Sequence, residues 1–500
     1  MANVFHESYK QSTLAQSASQ GGTLISDYQY DLPRPFPCVY QDYHTKMVVQ
    51  NMQFAGSSSV ELSSFGILKD LYIKWVVTWD NNASQAGKLV VAKNPYATIV
   101  KRIALMNSSR EIFQLYGEDI LLHTKSIKDA GERKKWLMAG DADVKLSSVN
   151  AQTAGANIGA DGGSVIKTAD SVANSMTFYT RVPFSFFEGH LQSSEPNKTC
   201  PNLRFTETTR LLIETNPGFC VVSGGTSLPV SDLKIATCEV YGRYDIPSPD
   251  AMQSIEEQYS MDAPSSQLHG NSVMNETSIT ATAVSQKHKV KIYNTNLTRD
   301  FTIMVHPTRS KTRAELLAMA VADGTSNGTD KIIAADAFGA AAGTAISTNA
   351  LVQLHNMHSW NVHSLATNGN SRIGNDFCRI TKLTVASSGR ILFQTTDYKQ
   401  LLLCTTNFCN WVGGKGSDVL QNVDKNGCSD NNLYMIPFSL KPNANELTSA
   451  LSLRGLSTLD IEIEFDAVVG VAYDCKVITH YAQIISTETT SGRLIASTSN

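Results

Sequence analysis

Charge is scarce in this sequence. Asp, Glu, Lys and Arg make up 17% of its 500 residues, where about 25% is usual for a soluble domain. Thr, Ser, Asn and Gly fill the gap, a mixture that favours strands, turns and loops over long surface helices. The net charge is −3, so no global basic field invites nucleic acid. The basic runs are short, Arg133–Lys135 and Lys287–Lys291, and both read as solvated faces.

Other absences narrow the field further. No run of about 18 apolar residues exists, so no helix is expected to span a membrane. The start, MANVFHESYKQSTLAQSASQGG, has no apolar stretch of a secretory signal. The nine cysteines are widely scattered, and an odd count without a small-domain framework predicts free thiols in a reducing compartment.

Catalytic motifs are missing as well. GGKGS at 413–417 lacks the spacing of a phosphate-binding loop, and no G-x-S-x-G elbow appears. Cys404 and Cys409 stand without a second pair at zinc spacing. His355, His358 and His363 lie close together in HNMHSWNVH. A metal site is the sharp reading, but no helical H-E-x-x-H accompanies them, and a histidine-rich loop is preferred. Asn82, Asn107, Asn197, Asn275, Asn296 and Asn327 begin N-x-S/T sequons; without a signal they are expected to stay unmodified. No catalytic, cofactor-binding or metal residue is assigned, and no cofactor is expected.

What is present is a succession of strand signals. LYIKWVVTW at 71–79 and TIVKRIALM at 98–106 are dense in β-branched and aromatic residues. LDIEIEF at 459–465 alternates apolar with acidic residues, one buried and one wet face. Helices are expected over GEDILLHTKSIKDAGERKKWLM (117–138), over 251–262 and over 310–324. Residues 139–175 and 324–375 are small, polar and aperiodic, and read as long surface loops.

The strand signals repeat. ALMNSSREIFQLYGEDILL (104–122) is similar to LTVASSGRILFQTTDYKQLLL (383–403). TRVPFSFF is similar to YMIPFSLK, with Pro183 and Pro437 separated by 437 − 183 = 254 residues. TTRLLIET then LKIATCEVYGRYDI, in the first half, are matched by STLDIEIE then VVGVAYDCKVITHYAQII. Three matches in one order describe two copies of one all-β domain. About 220 residues per copy is too long for an immunoglobulin sandwich. Two consecutive eight-stranded jelly rolls, with short helical excursions and long loops, fit. The boundaries read as an amino-terminal arm at 1–30, a first jelly roll at 31–250, a linker at 251–275, a second jelly roll at 276–487 and a tail at 488–500.

Three segments resemble the double jelly-roll major capsid proteins of large eukaryotic DNA viruses, virophages, adenovirus hexons and tailless membrane-containing phages. They are SSFGILKDLYIKWVVTW, IALMNSSREIFQLYGEDILL and YMIPFSLKPNANELTSALSLRGLSTLDIEIEF. The third departs from the family at Thr448–Leu451, where Ser-Gly is usual, and at Leu453–Gly455, where Ser-Arg-Ile is common, which marks a divergent member. The resemblance implies a non-enzymatic protein of the virion, made in the host cell cytoplasm. Its partners would be itself, as a pseudo-hexagonal homotrimer tiling an icosahedral shell, then penton and minor capsid proteins and an internal membrane. No sequence-specific nucleic acid contact is implied. The rival readings are a carbohydrate-binding β-sandwich of fibre or lectin type and a cupin-like metalloenzyme. A lectin would show exposed Trp and Tyr clusters in its loops, and of the five tryptophans only Trp360 and Trp411 fall in loop-like sequence.

Overall fold

The computed structural model describes residues 40–64, 66–79, 88–90, 95–127, 130–140, 143–145, 165–167, 174–187, 203, 206–216, 233–247, 266–292, 297–307, 311–312, 351–352, 380–387, 389–397, 400, 433–439, 450–452, 459–467, 472–487 and 494–498. The first half carries β1 (Tyr40–Val49), β2 (Ser57–Glu61), β3 (Ile67–Trp79), β4 (Lys88–Val90), β5 (Val100–Asn107), β6 (Arg110–Tyr116), β7 (Asp143–Lys145), β8 (Val165–Lys167), β9 (Asn174–Arg181), β10 (Thr209–Thr215) and β11 (Leu233–Pro247). Its helices are α1 (Pro95–Thr98), α2 (Gly117–Ser126) and α3 (Ala130–Gly140). The second half carries β12 (Ser266–Thr280), β13 (Ser285–Ile292), β14 (Leu297–Pro307), β15 (Lys311–Thr312), β16 (Leu351–Val352), β17 (Ile380–Ser387), β18 (Arg390–Thr395), β19 (Leu433–Pro437), β20 (Leu451–Ser452), β21 (Leu459–Asp466), β22 (Ala472–Thr487) and β23 (Leu494–Thr498).

Four antiparallel sheets hold the framework. The first half has β1-β11-β3-β9-β7 and β2-β10-β5-β6; the second has β12-β22-β14-β19 and β13-β21-β17-β18. In each half, eight framework strands counted along the chain give sheets ordered 1-8-3-6 and 2-7-4-5. That interleaving of two Greek keys is the jelly roll, and it occurs twice.

Alternation builds each core. Along β3, Leu71, Ile73, Trp75 and Val77 are buried, and the residues between them face outward, as a period of two requires. They join Ile103 and Leu105 of β5, Leu211 and Ile213 of β10, and Phe178 of β9 in one apolar cluster between the two sheets. Trp75 Nε1–H donates to Thr180 Oγ1 at 2.9 Å, and Thr180 Oγ1 donates to the Tyr96 carbonyl at 2.7 Å. The indole is thus buried with its polar edge satisfied. In the second half, Leu459, Ile461, Ile463 and Phe465 of β21 are buried, as their alternation requires. Phe465 meets Tyr473 edge-on at 5.3 Å between centroids.

The repeat extends to irregularities. One extra residue interrupts β6 at Ile112 and β18 at Leu392. Another interrupts β3 at Lys69 and β14 at Arg299. A third interrupts β5 at Lys101 and β17 at Thr381. Bulges re-aim a strand, so both halves bend their sheets at the same places. The register also refines the repeat. Asn107 corresponds to Ser387, since each pairs with the arginine across a two-residue turn. It follows that Glu111 corresponds to Ile391 and Ile112 to Leu392. The turns use left-handed backbone at Ser108 (φ 55°) and Gly389 (φ 80°).

Several expectations from the sequence change. The helix expected from 117 to 138 is two helices, and the chain leaves the first at Ile127 with extended backbone (φ −54°, ψ 121°). The break lets α3 lay Trp136 near Tyr72, at 6.3 Å between ring centroids, and under the Arg181 guanidinium at 5.4 Å. The stretch 139–175 contains β7 and β8, paired with β9 and β4. Lys311–Thr312, read as the start of a helix, pairs as β15 with β16; the rest of 313–324 lies outside the described residues. Residues 266–275, read as linker, belong to β12, and Leu494–Thr498, read as tail, forms β23 against β22. Long β22 offers free edge length beyond β14, and pairing satisfies backbone groups there. The arm at 1–30 and the helix expected over 251–262 lie outside the described residues.

Candidate functional site: the seam between the two jelly rolls

Where the halves meet, the end of β6 and the start of α2 lie on β12 and β22. Backbone groups left open at the bulge around Ile112 are taken up by side chains of the other half. The Ile112 carbonyl accepts from Gln483 Nε2 at 2.8 Å and Asn271 Nδ2 at 3.3 Å. The Gln114 amide donates to Asn271 Oδ1 at 3.0 Å, and Ser272 Oγ donates to the Gln114 carbonyl at 3.1 Å. The Met274 amide donates to the Tyr116 hydroxyl at 3.2 Å. An edge that would otherwise end unpaired is thereby closed.

The first turn of α2 adds charge. Asp119 accepts from the Tyr116 amide at 3.1 Å, which caps the helix start. It also accepts from Ser272 Oγ at 2.8 Å and faces His480 Nε2 at 2.7 Å. The other ring nitrogen of His480 faces Asp300 of β14. Burial alone would lower the imidazole pKa, but the flanking carboxylates Asp300 and Asp119 raise it to about 10. His480 is therefore an imidazolium cation joining both halves. With both nitrogens engaged, it offers no lone pair to a metal.

A second cation lies nearby. Lys476 Nζ is 3.2 Å from Glu118 Oε1 and 3.7 Å from Glu276 Oε1. Burial lowers the lysine pKa, Glu118 and Glu276 raise it, and the net shift is upward. Acids of the first jelly roll thus meet bases of the second. Apolar contact completes the seam: Met304 and Ile485 of the second half join the core cluster of the first, and His269 meets Phe113 edge-on at 5.5 Å. Charges alone would be a weak glue after desolvation; the apolar burial supplies attraction, and the ion pairs fix register.

None of the seam residues stood out in sequence. The available signal was Lys476 and His480 set inside the strand-forming run VVGVAYDCKVITHYAQII. His355, His358, His363, Cys404, Cys409 and the GGKGS loop lie outside the described residues, as do Trp360 and Trp411. Of the sequon asparagines, Asn107 is buried and its Nδ2 donates to the Glu207 carbonyl at 3.0 Å. Asn275 lies in β12, and the others lie outside the described residues. Cys238 of β11 and Cys475 of β22 are buried thiols outside any disulfide, at corresponding positions. The KHKVK run lies on β13, where Lys289 Nζ is 2.8 Å from Asp460 of β21. Its charges face acids across the strand pair.

Two jelly rolls in one chain, fused through a buried polar seam, define the double jelly-roll fold. No protein-family description matches the chain, and no curated protein matches it. Solved structures do. The PBCV-1 virus capsid is 11% identical with a TM-score of 0.57, over 94% of this chain and 100% of that one. The Faustovirus major capsid protein is 9% identical with a TM-score of 0.52, over 97% and 98%. The double jelly roll expected from the sequence is therefore the fold of the chain, and it is the fold of those capsid proteins.

Proposed function

We propose that this protein is a viral major capsid protein, structural and non-enzymatic, that assembles as a homotrimer. Six jelly rolls from three chains make a pseudo-hexagonal tile, and tiles pave an icosahedral shell of the virion. The observation that carries this reading is the coverage: the likeness to the PBCV-1 capsid chain spans all of that chain and nearly all of this one. Both jelly rolls and their relative order are included, not one sandwich alone. The internal repeat supports it, since two similar units per chain let a three-fold assembly fill a six-sided outline. The same reading places synthesis in the host cytoplasm and gives the tile penton and minor capsid proteins, and an internal membrane, as neighbours.

The test is negative-stain electron microscopy of the purified protein with its mass by light scattering. A six-sided particle with the mass of three 54.4 kDa chains is the expected result. A monomer or dimer without that outline would overturn the reading and direct work to glycan binding.

A further inference from the structure

A sheet that does not close on itself keeps edges, and a free row of backbone N–H and C=O groups recruits strands from other molecules. The second framework strand of each half stands at such an edge. In the first half it is β2, at the end of β2-β10-β5-β6; in the second it is β13, at the end of β13-β21-β17-β18. Among the described residues, no strand pairs with the outer side of either. The two edges differ in length. β2 has five residues, SSSVE, a short template. β13 has eight, SQKHKVKI, and all of them pair in unbroken register with β21. Its backbone is therefore extended and regular from end to end, the form that an added strand needs.

The long edge carries a row of lysines. Lys287, Lys289 and Lys291 alternate with His288, Val290 and Ile292. Val290 and Ile292 are buried, and His288 Nε2 lies 2.7 Å from Thr277 Oγ1, so the lysines share the outer face. β21 supplies acids on one side of the row: Lys287 Nζ is 3.7 Å from Glu464 and Lys289 Nζ 2.8 Å from Asp460. Even so paired, the two side chains stay 72% and 49% exposed, and Lys291 is exposed as well. A strand arriving on the other side would meet three ammonium groups.

Register decides what that strand could be. An added antiparallel strand keeps its apolar residues on the core face only when its outer residues face the lysines. If the newcomer is β13 of a second copy, each such register sets lysine opposite lysine: Lys289 against Lys289 with Lys287 against Lys291, or Lys287 against Lys289. A slip by one residue removes that opposition but turns the newcomer's Val290 and Ile292 to solvent. If the newcomer is β18, the other end of the same sheet, its sequence RILFQT holds a cation and no carboxylate. Like charges directly opposite destabilise a strand pair.

We propose that the row of Lys287, Lys289 and Lys291 closes the β13 edge to other copies of this chain. Copies then meet through side-chain surfaces and not by extension of a sheet. The first half reaches the same end by shortening its edge strand, and the second by charging it. This inference is independent of the capsid reading, because its baseline is whatever species the parent protein forms.

The experiment is the full-length triple variant Lys287→Thr, Lys289→Thr, Lys291→Thr, set beside the parent and beside the same three lysines changed to arginine. Threonine keeps a strand preference and removes the charge; arginine keeps the charge. Mass is followed by light scattering over a range of protein concentrations, and the far-ultraviolet spectrum checks the fold. The parent and the arginine variant are expected to hold one mass. The threonine variant is expected to grow with concentration, to about twice the parent mass or more, as edge pairs form. In the larger species, the β13 amides that point away from β21 should gain protection from hydrogen exchange. If the triple variant misfolds, Lys287→Thr with Lys291→Thr keeps the Lys289–Asp460 pair, and the same readings apply to it. A folded threonine variant with the parent's mass at every concentration overturns the proposal. Growth without protection at residues 285–292, or growth shared equally by the arginine variant, overturns it too.

Discussion

His480 of the last long strand stands between two aspartates from different halves of the chain: Asp119 of α2, at 2.7 Å, and Asp300 of β14. Its positive charge holds together two buried carboxylates that would otherwise repel. The consequences for stability can be measured.

Replacing His480 with Asn leaves Asp119 and Asp300 buried without their cation. Removing one partner of a buried ion pair costs on the order of 3–5 kcal/mol. His480→Asn should therefore lower the urea midpoint of the transition that separates the halves, read by tryptophan fluorescence. An unchanged midpoint would show that the imidazolium is dispensable.

The same residue sets a pH dependence. Its folded-state pKa is raised from 6.5 to about 10, so protonation is favoured in the folded state. The stability from this cation is fully present below about pH 6.5 and is lost as pH rises toward about 10. Melting curves between pH 6 and 10 should show a fall in the parent protein that is shallower in His480→Asn. Parallel curves would remove His480 as the cause.

Lys476 and Glu118 should couple energetically across the seam. Lys476→Met alone strands Glu118, and Glu118→Gln alone leaves the lysine only the longer pair to Glu276 at 3.7 Å. The double variant strands neither, so the cycle should give a coupling of about 1–3 kcal/mol. A coupling indistinguishable from zero would mean that Glu276 alone satisfies Lys476.

On β21, neighbouring residues should differ sharply. Ile463→Ala removes a buried side chain and should cost about 2–5 kcal/mol. Glu462→Ala, on the solvent face, should stay within about 0.5 kcal/mol. Chemical denaturation of both variants decides whether the alternation sets the inward face.

Asn107 carries a sequon but is buried with its amide bonded to Glu207. When the protein is forced through a secretory pathway, folded material should carry no glycan there. Peptide mass spectrometry finding a glycan on Asn107 in folded protein would contradict the placement.

Much of the architecture was legible from residue order. The inward residues of β21 follow from strict alternation, and the twofold repeat from matched segments such as PFS at 183–185 and 437–439. Short strands were harder. β7 and β8 lie in sequence with no periodicity, and β23 in a polar tail, because pairing with a neighbouring strand satisfied their backbones without help from side-chain pattern. The break at Ile127 was also hidden: acids first and bases last suit one helix as well as two.

That the chain is all-β and doubled follows from residue order, because a period of two and a recurring order of segments are properties of residue order alone. How the two units are joined follows from the packing of the folded sheets. Glu118 and Asp119 lie more than 350 positions from Lys476 and His480, and nothing local marks them as partners. Their pairing is a product of where two folded sheets come to rest, as are the bulge at Ile112 that opens its carbonyl and the exposed Ile391 at the equivalent edge.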